Sequence, residues 1–337
     1  MSLPIPDFFD PASLDRVWRV SYEERARQAA EWARRHDLQP AGSSRPKVWL
    51  LLVDVQNTFC VPGFELFVAG RSGRGAVDDN LRLCQFIYRN LDLITQISAT
   101  MDTHLPQQVF HAIFFVDQDG NHPAPYTNID AAELRSGRWK FNPTLAPGFG
   151  ITSEYGQTMM IHYAEELEKN GKYSLTIWPY HGMLGGIGHA LVSAVEEAVY
   201  FHSMARLTQP TFEVKGDHPF TEHYSVIGPE VTRGPRGEVL GSHNTHFIET
   251  LKQVDAVLIA GQAKSHCVAW TISDFLEDIH AEDPSLAGKV YLLEDCTSSV
   301  VVPGADFTEA ADAAFARFAE AGMHRVKSSE FKFSPPH

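Results

Sequence analysis

Apolar positions along this chain fall into short continuous runs separated by amphipathic stretches. KVWLLLVDV, residues 47–55, is an apolar run that ends around an acid. Such a run suits a strand covered on both faces, since a half-solvated strand alternates apolar and polar positions. A helical spacing follows through Val77, Leu81, Cys84, Tyr88 and Leu91. TQISATM (95–101), HAIFFV (111–116) and SLTIWP (174–179) predict further strands, and HALVSAVEEAVYFHSMARL (189–207) predicts a long amphipathic helix. TFEV (211–214), DAVLIAG (255–261) and KVYLLED (289–295) read as strands. HFIETLKQV (246–254), VAWTISDFLEDI (268–279) and EAADAAFARFAEAG (309–322) read as the helices between and after them. Strands alternating with helices predict an α/β fold with a mainly parallel sheet. Right-handed crossovers then place helices on both faces.

Two segments depart from this rhythm. Residues 1–45 predict an N-terminal extension. In it Ser21 and Glu24 have capping-box spacing, a helix runs to about Arg35, and residues 39–46 form a linker. Its expected role is packing or contact between subunits. Residues 46–337 predict the main domain, interrupted at about 117–175 by a stretch rich in Pro, Gly, Asn and Tyr. That stretch reads as a long excursion or lid, because irregular segments of such length usually carry function.

The chain has 337 residues, 44% of them hydrophobic and 21% charged, enough to bury a sizeable core. No run approaches the roughly 18 apolar residues of a membrane span. The opening MSLPIPDFFD has no basic stretch followed by an apolar one, so no secretory signal is expected. A net charge of −14 repels a phosphate backbone and argues against nucleic acid as the partner. Four cysteines are too few for a disulfide scaffold and point to a cytoplasmic setting with reduced thiols.

Ligands in open α/β sheets sit beyond the carboxyl ends of the strands. The residues following the predicted strands are Asp54, Asp102 with His104, His181, Lys215, the turn Gln262–His266 leading to Cys267, and Asp295. Cys267 opens a helix, where unpaired amides favour a thiolate and can hold an oxyanion. It predicts a nucleophile, whereas Cys60, Cys84 and Cys296 read as buried filler. Asp54 is the candidate base, and Lys215 the cation that keeps it ionised, with Lys264 and Lys140 as rivals. Asp102 and His104 project to one side of an extended segment. With His181 they offer a carboxylate and two imidazoles, a set that suits zinc or another divalent ion. His111 is a possible further ligand, and His243 and His246 read as a solvated helix face.

These residues resemble the nicotinamidase branch of the isochorismatase-like cysteine hydrolases. DVQNTF from Asp54, the Asp102-Thr103-His104 triplet, Trp178-Pro179-Tyr180-His181, Lys215-Gly216 and GQAKSHCV around Cys267 resemble that family's motifs, in its order. The resemblance implies a three-layer Rossmann-like fold with a six-stranded parallel sheet, and an Asp54–Lys215–Cys267 triad for amide hydrolysis. It further implies an oxyanion hole from the amides of Ala263 and Cys267, a cis peptide at Gln262–Ala263, and Phe59 and Trp178 flanking an aromatic ring. A metal on Asp102, His104 and His181 would bind the pyridine nitrogen of a small amide, and a homo-oligomer is expected. Gly182, in place of the cysteine often following the last histidine, and Lys264 in the nucleophile turn are departures. The segment PFTEHYSVIGPEV (219–231) resembles the family only loosely. A related hydrolase of a carbamoyl compound or a vinyl ether, without metal, is the alternative. A non-enzymatic interaction scaffold is the third, and would not require these groups at adjacent strand ends.

Overall fold

The computed structural model describes residues 2–216, 218–302 and 304–333. Its centre is a six-stranded parallel sheet. The strands are β1 (Val48–Val53), β2 (Gln96–Asp102), β3 (Thr211–Lys215), β4 (Ala256–Gly261), β5 (Val290–Leu293) and β6 (His324–Val326). Their order across the sheet is β6-β5-β4-β1-β2-β3. Every neighbouring pair is parallel.

Side-chain alternation along β1 builds the layers. Val48, Leu50 and Leu52 enter one apolar core, and Trp49, Leu51 and Val53 enter the other. All six residues are buried, as an unbroken apolar strand requires. The first core is closed by α1 (Tyr22–Arg35), α2 (Gly75–Arg89) and, after the longer α3 (Ser153–Lys169) of the excursion, α4 (Ser193–Arg206). The second is closed by α5 (His246–Gln253), α6 (Ala269–Glu282) and α7 (Thr308–Glu320). No helix among the described residues is long and apolar enough to cross a membrane.

Several expectations need correction. HAIFFV and SLTIWP are not strands of the central sheet. The first forms a helical turn and a two-residue strand, and the second contributes Leu175–Thr176 to a small antiparallel pair. The sixth strand is the short β6, which alternation did not reveal because two of its three residues are exposed. The excursion is not irregular. It contains α3, N-capped by the Thr152 side chain, and a core of its own around Phe114, Phe141, Met160, Tyr163 and Leu167. Ser21 does start α1, but without a side-chain cap bond; Glu24 instead accepts from Gln28 at 2.8 Å. The N-terminal arm packs on α4 through an Arg25–Glu197 ion pair at 2.6 Å and a Trp18 amide bond to Ser193 Oγ at 2.9 Å. The linker is held by Arg206, whose Nε donates to the Gln39 carbonyl at 2.7 Å.

Candidate active site

The sheet brings the ends of β1, β2, β3 and β4 together, and the candidate residues follow from that register. Asp102 pairs with Lys215 across β2 and β3, and Val53 with Gly261 across β1 and β4. Only glycine fits at 261. Its φ is +120°, and a Cβ there would come within 2.0 Å of the Val53 carbonyl. The chain therefore leaves β4 close against β1, turns through a cis peptide at Gln262–Ala263, and enters a five-residue π-helical turn, Lys264–Val268, ahead of α6. Cys267 lies in that turn. Asp54 leaves β1 with φ +46°, so its side chain turns off the strand line at the same place.

Lys215 is the hub. Its Nζ lies 2.9 Å from Asp54 Oδ2, 2.8 Å from Asp102 Oδ1 and 3.6 Å from Cys267 Sγ, and it donates to the His223 carbonyl at 2.9 Å. Asp54 is fully buried and receives the Thr100 hydroxyl on Oδ1, and Lys215 Nζ stands between it and the Cys267 thiol. The rival lysines are elsewhere. Lys264 pairs with Asp312, and Lys140 is exposed. Asp295 is also outside the site, accepting from the Ser328 amide at 2.7 Å.

Burial dominates the protonation of this cluster. It raises Asp54 above its usual value, against the pull of Lys215. Burial would lower Lys215, but Asp102 and Asp54 outweigh it and hold the ammonium well above its ordinary range. Burial likewise pushes the Cys267 thiol well up, and Lys215 does not compensate. The expectation of a resting thiolate favoured by a helix end is therefore corrected. The turn before α6 is buried, and the proton stays on sulfur until a base takes it.

Asp102 carries a second relationship through its other oxygen. Oδ2 lies 2.8 Å from His104 Nε2 and 3.4 Å from His181 Nε2. His181 Nδ1 is turned to the Pro179 carbonyl at 2.8 Å, and His104 Nδ1 to the Gly216 carbonyl at 3.4 Å. A nitrogen facing a carbonyl carries its proton there, which leaves both Nε2 lone pairs directed toward the carboxylate. One ligand atom from each of the three residues lies within 4.8 Å of the others. Burial keeps His104 neutral, the form that binds metal, while Asp102 is held ionised despite its own burial by the Lys215 ammonium. The donor set fits a divalent cation. Gly182 follows from the same crowding. It has φ +55°, and a Cβ there would come within 2.9 Å of the Asp102 carbonyl. His111 is outside this group. Its Nδ1 faces the Pro106 carbonyl at 3.2 Å, and burial lowers its pKa to about 3. His243 precedes α5 and pairs with Asp278 at 2.8 Å.

A cavity of about 210 Å³ opens on both arrangements. Phe59, Trp178, Ala263, Asp102, His181 and Cys267 all line it. Phe59 stands edge-on to His181, and Trp178 donates its Nε1–H to Tyr224 Oη at 2.9 Å. Gln262 is behind the wall, its side-chain amide donating to Asp79 Oδ2 at 2.9 Å. Sequence reasoning missed Tyr126, Glu222, Tyr224 and His266 on the wall, and Thr100 beneath Asp54. Glu222 and Tyr224 belong to the TEHYS segment after Lys215-Gly216, where an acid two positions before a tyrosine was the available signal.

No family model and no curated protein matches this chain. Solved structures do. A nicotinamidase and pyrazinamidase of Acinetobacter baumanii aligns over 85% of this chain and 99% of its own, with 19% identity and a TM-score of 0.51. The yeast nicotinamidase bound to the inhibitor nicotinaldehyde aligns over 83% and 99%, with 17% identity and a TM-score of 0.51. The chain thus has the isochorismatase-like three-layer α/β fold that its motifs implied.

Proposed function

We propose that this protein is a cysteine amidohydrolase that cleaves a small aromatic or heteroaromatic carboxamide, of the nicotinamide type, to the acid and ammonia. The observation that carries the reading is the meeting of Lys215 Nζ with Asp54, Asp102 and Cys267 Sγ at the floor of a cavity walled by Phe59 and Trp178. Buried charges of this kind are costly unless paired, and one lysine pairing two carboxylates beside a thiol is better explained by chemistry than by stability.

In this reading Cys267 Sγ attacks the amide carbon as Asp54 takes the thiol proton. The amides of Ala263 and Cys267 receive the oxyanion. Asp54 gives its proton to the departing nitrogen, the C–N bond breaks, and ammonia leaves a thioester on Cys267. Water, deprotonated by Asp54, then attacks the thioester carbon, and the proton returns to sulfur as the acid departs. Lys215 keeps Asp54 ionised between proton transfers. Asp102, His104 and His181 are the residues that would hold a divalent ion, zinc being well suited to them, and it would supply a Lewis-acid point for a lone pair of the substrate. The reading carries with it a cytoplasmic setting, where the thiol stays reduced, and a homo-oligomer, which sedimentation tests.

The test is ammonia release from nicotinamide and related amides by the wild type and Cys267→Ala. Turnover lost on substitution supports the proposal. Turnover retained within tenfold removes the thiol from the reaction.

A further inference from the structure

The turn after β4 is braced by the segment 296–300 that follows β5. Gly261 N–H donates to the Cys296 carbonyl at 3.1 Å, and Lys264 N–H to the Ser298 carbonyl at 2.8 Å. In return the Ser298 amide donates to Gln262 Oε1 at 3.3 Å and the Val300 amide to Ser265 Oγ at 3.1 Å. Gln262 extends the brace to α2. Its Nε2 donates at 2.9 Å to Oδ2 of Asp79, whose Oδ1 pairs with Arg82 at 2.8 Å. Ser298 sits so close to α2 that a Cβ on Gly75 would come within 2.6 Å of its hydroxyl. Asp79 and Gln262 are both buried, and neither lines the cavity, whereas Ala263 does. A buried carboxyl bonded to a buried amide carries a desolvation cost that an apolar pair of similar shape avoids. What such directional bonds add over apolar packing is a fixed orientation.

We propose that Asp79 and Gln262 are positioning residues for amide hydrolysis, which together with Ser298 hold the turn so that the Ala263 N–H is aimed at the oxyanion. This deepens the amidase reading and rests on it. The residues on both sides of Ala263 are fixed. Gln262 N–H donates to the Val53 carbonyl at 2.8 Å while its side chain is held by Asp79 and Ser298, and Lys264 N–H is held by the Ser298 carbonyl. A donor aimed in advance at the place where charge develops needs no reorganisation at the moment of reaction. A loosened donor still lets the substrate bind, because the ring meets Phe59 and Trp178 on other walls of the cavity. Asp79 and Gln262 therefore act on the transition state and leave ground-state binding alone.

The experiment compares the wild type with Gln262→Met, which keeps the side-chain length and removes its bonds, and with Asp79→Ala. It measures kcat and KM for nicotinamide, inhibition by the corresponding aldehyde, and the rate at which iodoacetamide alkylates Cys267. The thiol adds across the aldehyde C=O, forming the S–C bond with the proton ending on oxygen, and that oxygen takes the place of the oxyanion. Removing an oxyanion donor outright costs about 100- to 1,000-fold in kcat, so misaiming one should lower kcat and weaken the aldehyde by at least about tenfold. KM and the alkylation rate should stay within about twofold. The double variant should be no worse than Asp79→Ala alone, because both changes break one chain of bonds. Thermal melting checks that each variant is folded, and Gln262→Met decides the question if Asp79→Ala is not. Unchanged kcat and aldehyde inhibition would overturn the positioning role while the amidase reading survives. So would a fall of all four quantities in step, which marks a general disturbance of the turn. A wild type that neither hydrolyses the amide nor binds the aldehyde removes the amidase reading, and this proposal with it.

Discussion

Asp102 and Lys215 are register partners on adjacent parallel strands, and their side chains meet in a fully buried ion pair of 2.8 Å. Through its second oxygen Asp102 also faces His104 and His181. One carboxylate therefore joins the ammonium of the triad to the candidate metal ligands, and a change at either end is felt at the other.

The stability of this cluster depends on its balance. Lys215→Met leaves the Asp54 and Asp102 carboxylates buried without their counter-ion. Breaking such a pair costs about 3–5 kcal/mol. Urea unfolding should show a loss of that order for Lys215→Met, and adding Asp54→Asn to it should recover part of the loss. A single variant as stable as the wild type would mean that the pair is not buried.

Thr100 tunes the base. Its hydroxyl donates to Asp54 Oδ1 and accepts from the Asp54 amide. A hydrogen bond to the charged form lowers a carboxyl pKa, so its removal raises it. Asp54 is already raised by burial. The acid limb of the pH profile of kcat/KM should therefore lie above the ordinary carboxylate range in the wild type. In Thr100→Val it should move higher still. A limb that stays in place, or moves down, would separate Asp54 from the proton transfer.

Much of this site was legible in the sequence, and the losses have physical causes. Asp54 and Cys267 stood out because each follows an apolar run that suits a covered strand, and Lys215 because it ends the short TFEV strand, which lies at the sheet edge with Phe212 and Val214 exposed. His181 was found as well, but for a partly mistaken reason. SLTIWP is apolar because Leu175 and Ile177 enter the small core of the excursion, not because it joins the central sheet. An apolar run reports burial and does not say in which core. HAIFFV misled in the same way, with Phe114 and Phe115 in that second core. The helix at Ser153–Lys169 did have a pattern, Met159, Met160, Tyr163 and Leu167, obscured by the Pro- and Gly-rich sequence before it. His266 was invisible as a wall residue because its placement depends on how the turn after β4 folds over the strand ends.

The metal ligands make a prediction that needs no substrate. A divalent ion that binds the folded chain at Asp102, His104 and His181 stabilises it by mass action, about 2.7 kcal/mol at a hundredfold excess over Kd. Zinc titration of chelated protein should raise the melting temperature, and His104→Ala or His181→Ala should abolish the rise. An equal rise in both variants would place the ion elsewhere.

Glu230 predicts a pH dependence of stability away from the reaction. Neither of its carboxylate oxygens has a hydrogen bond, and Lys172 lies 3.4 Å away. Burial raises its pKa from 4.5 to about 7. An acid whose folded pKa exceeds its unfolded one binds its proton more tightly when folded. Its contribution is therefore lost as pH rises through the window from about 4.5 to 7, by roughly 3 kcal/mol at most. Glu230→Gln should be less sensitive to pH across that window than the wild type in denaturant titrations. Parallel curves would show that Glu230 is ionised throughout.

The thioester on Cys267 is the centre of the account, and partitioning with hydroxylamine tests it most directly. Hydroxylamine competes with water for an acyl-enzyme, so turnover of an amide in its presence should yield the hydroxamic acid in proportion to its concentration, and Cys267→Ala should yield none. The carboxylic acid as sole product at every hydroxylamine concentration, or hydroxamic acid still formed at the wild-type rate by Cys267→Ala, would contradict it.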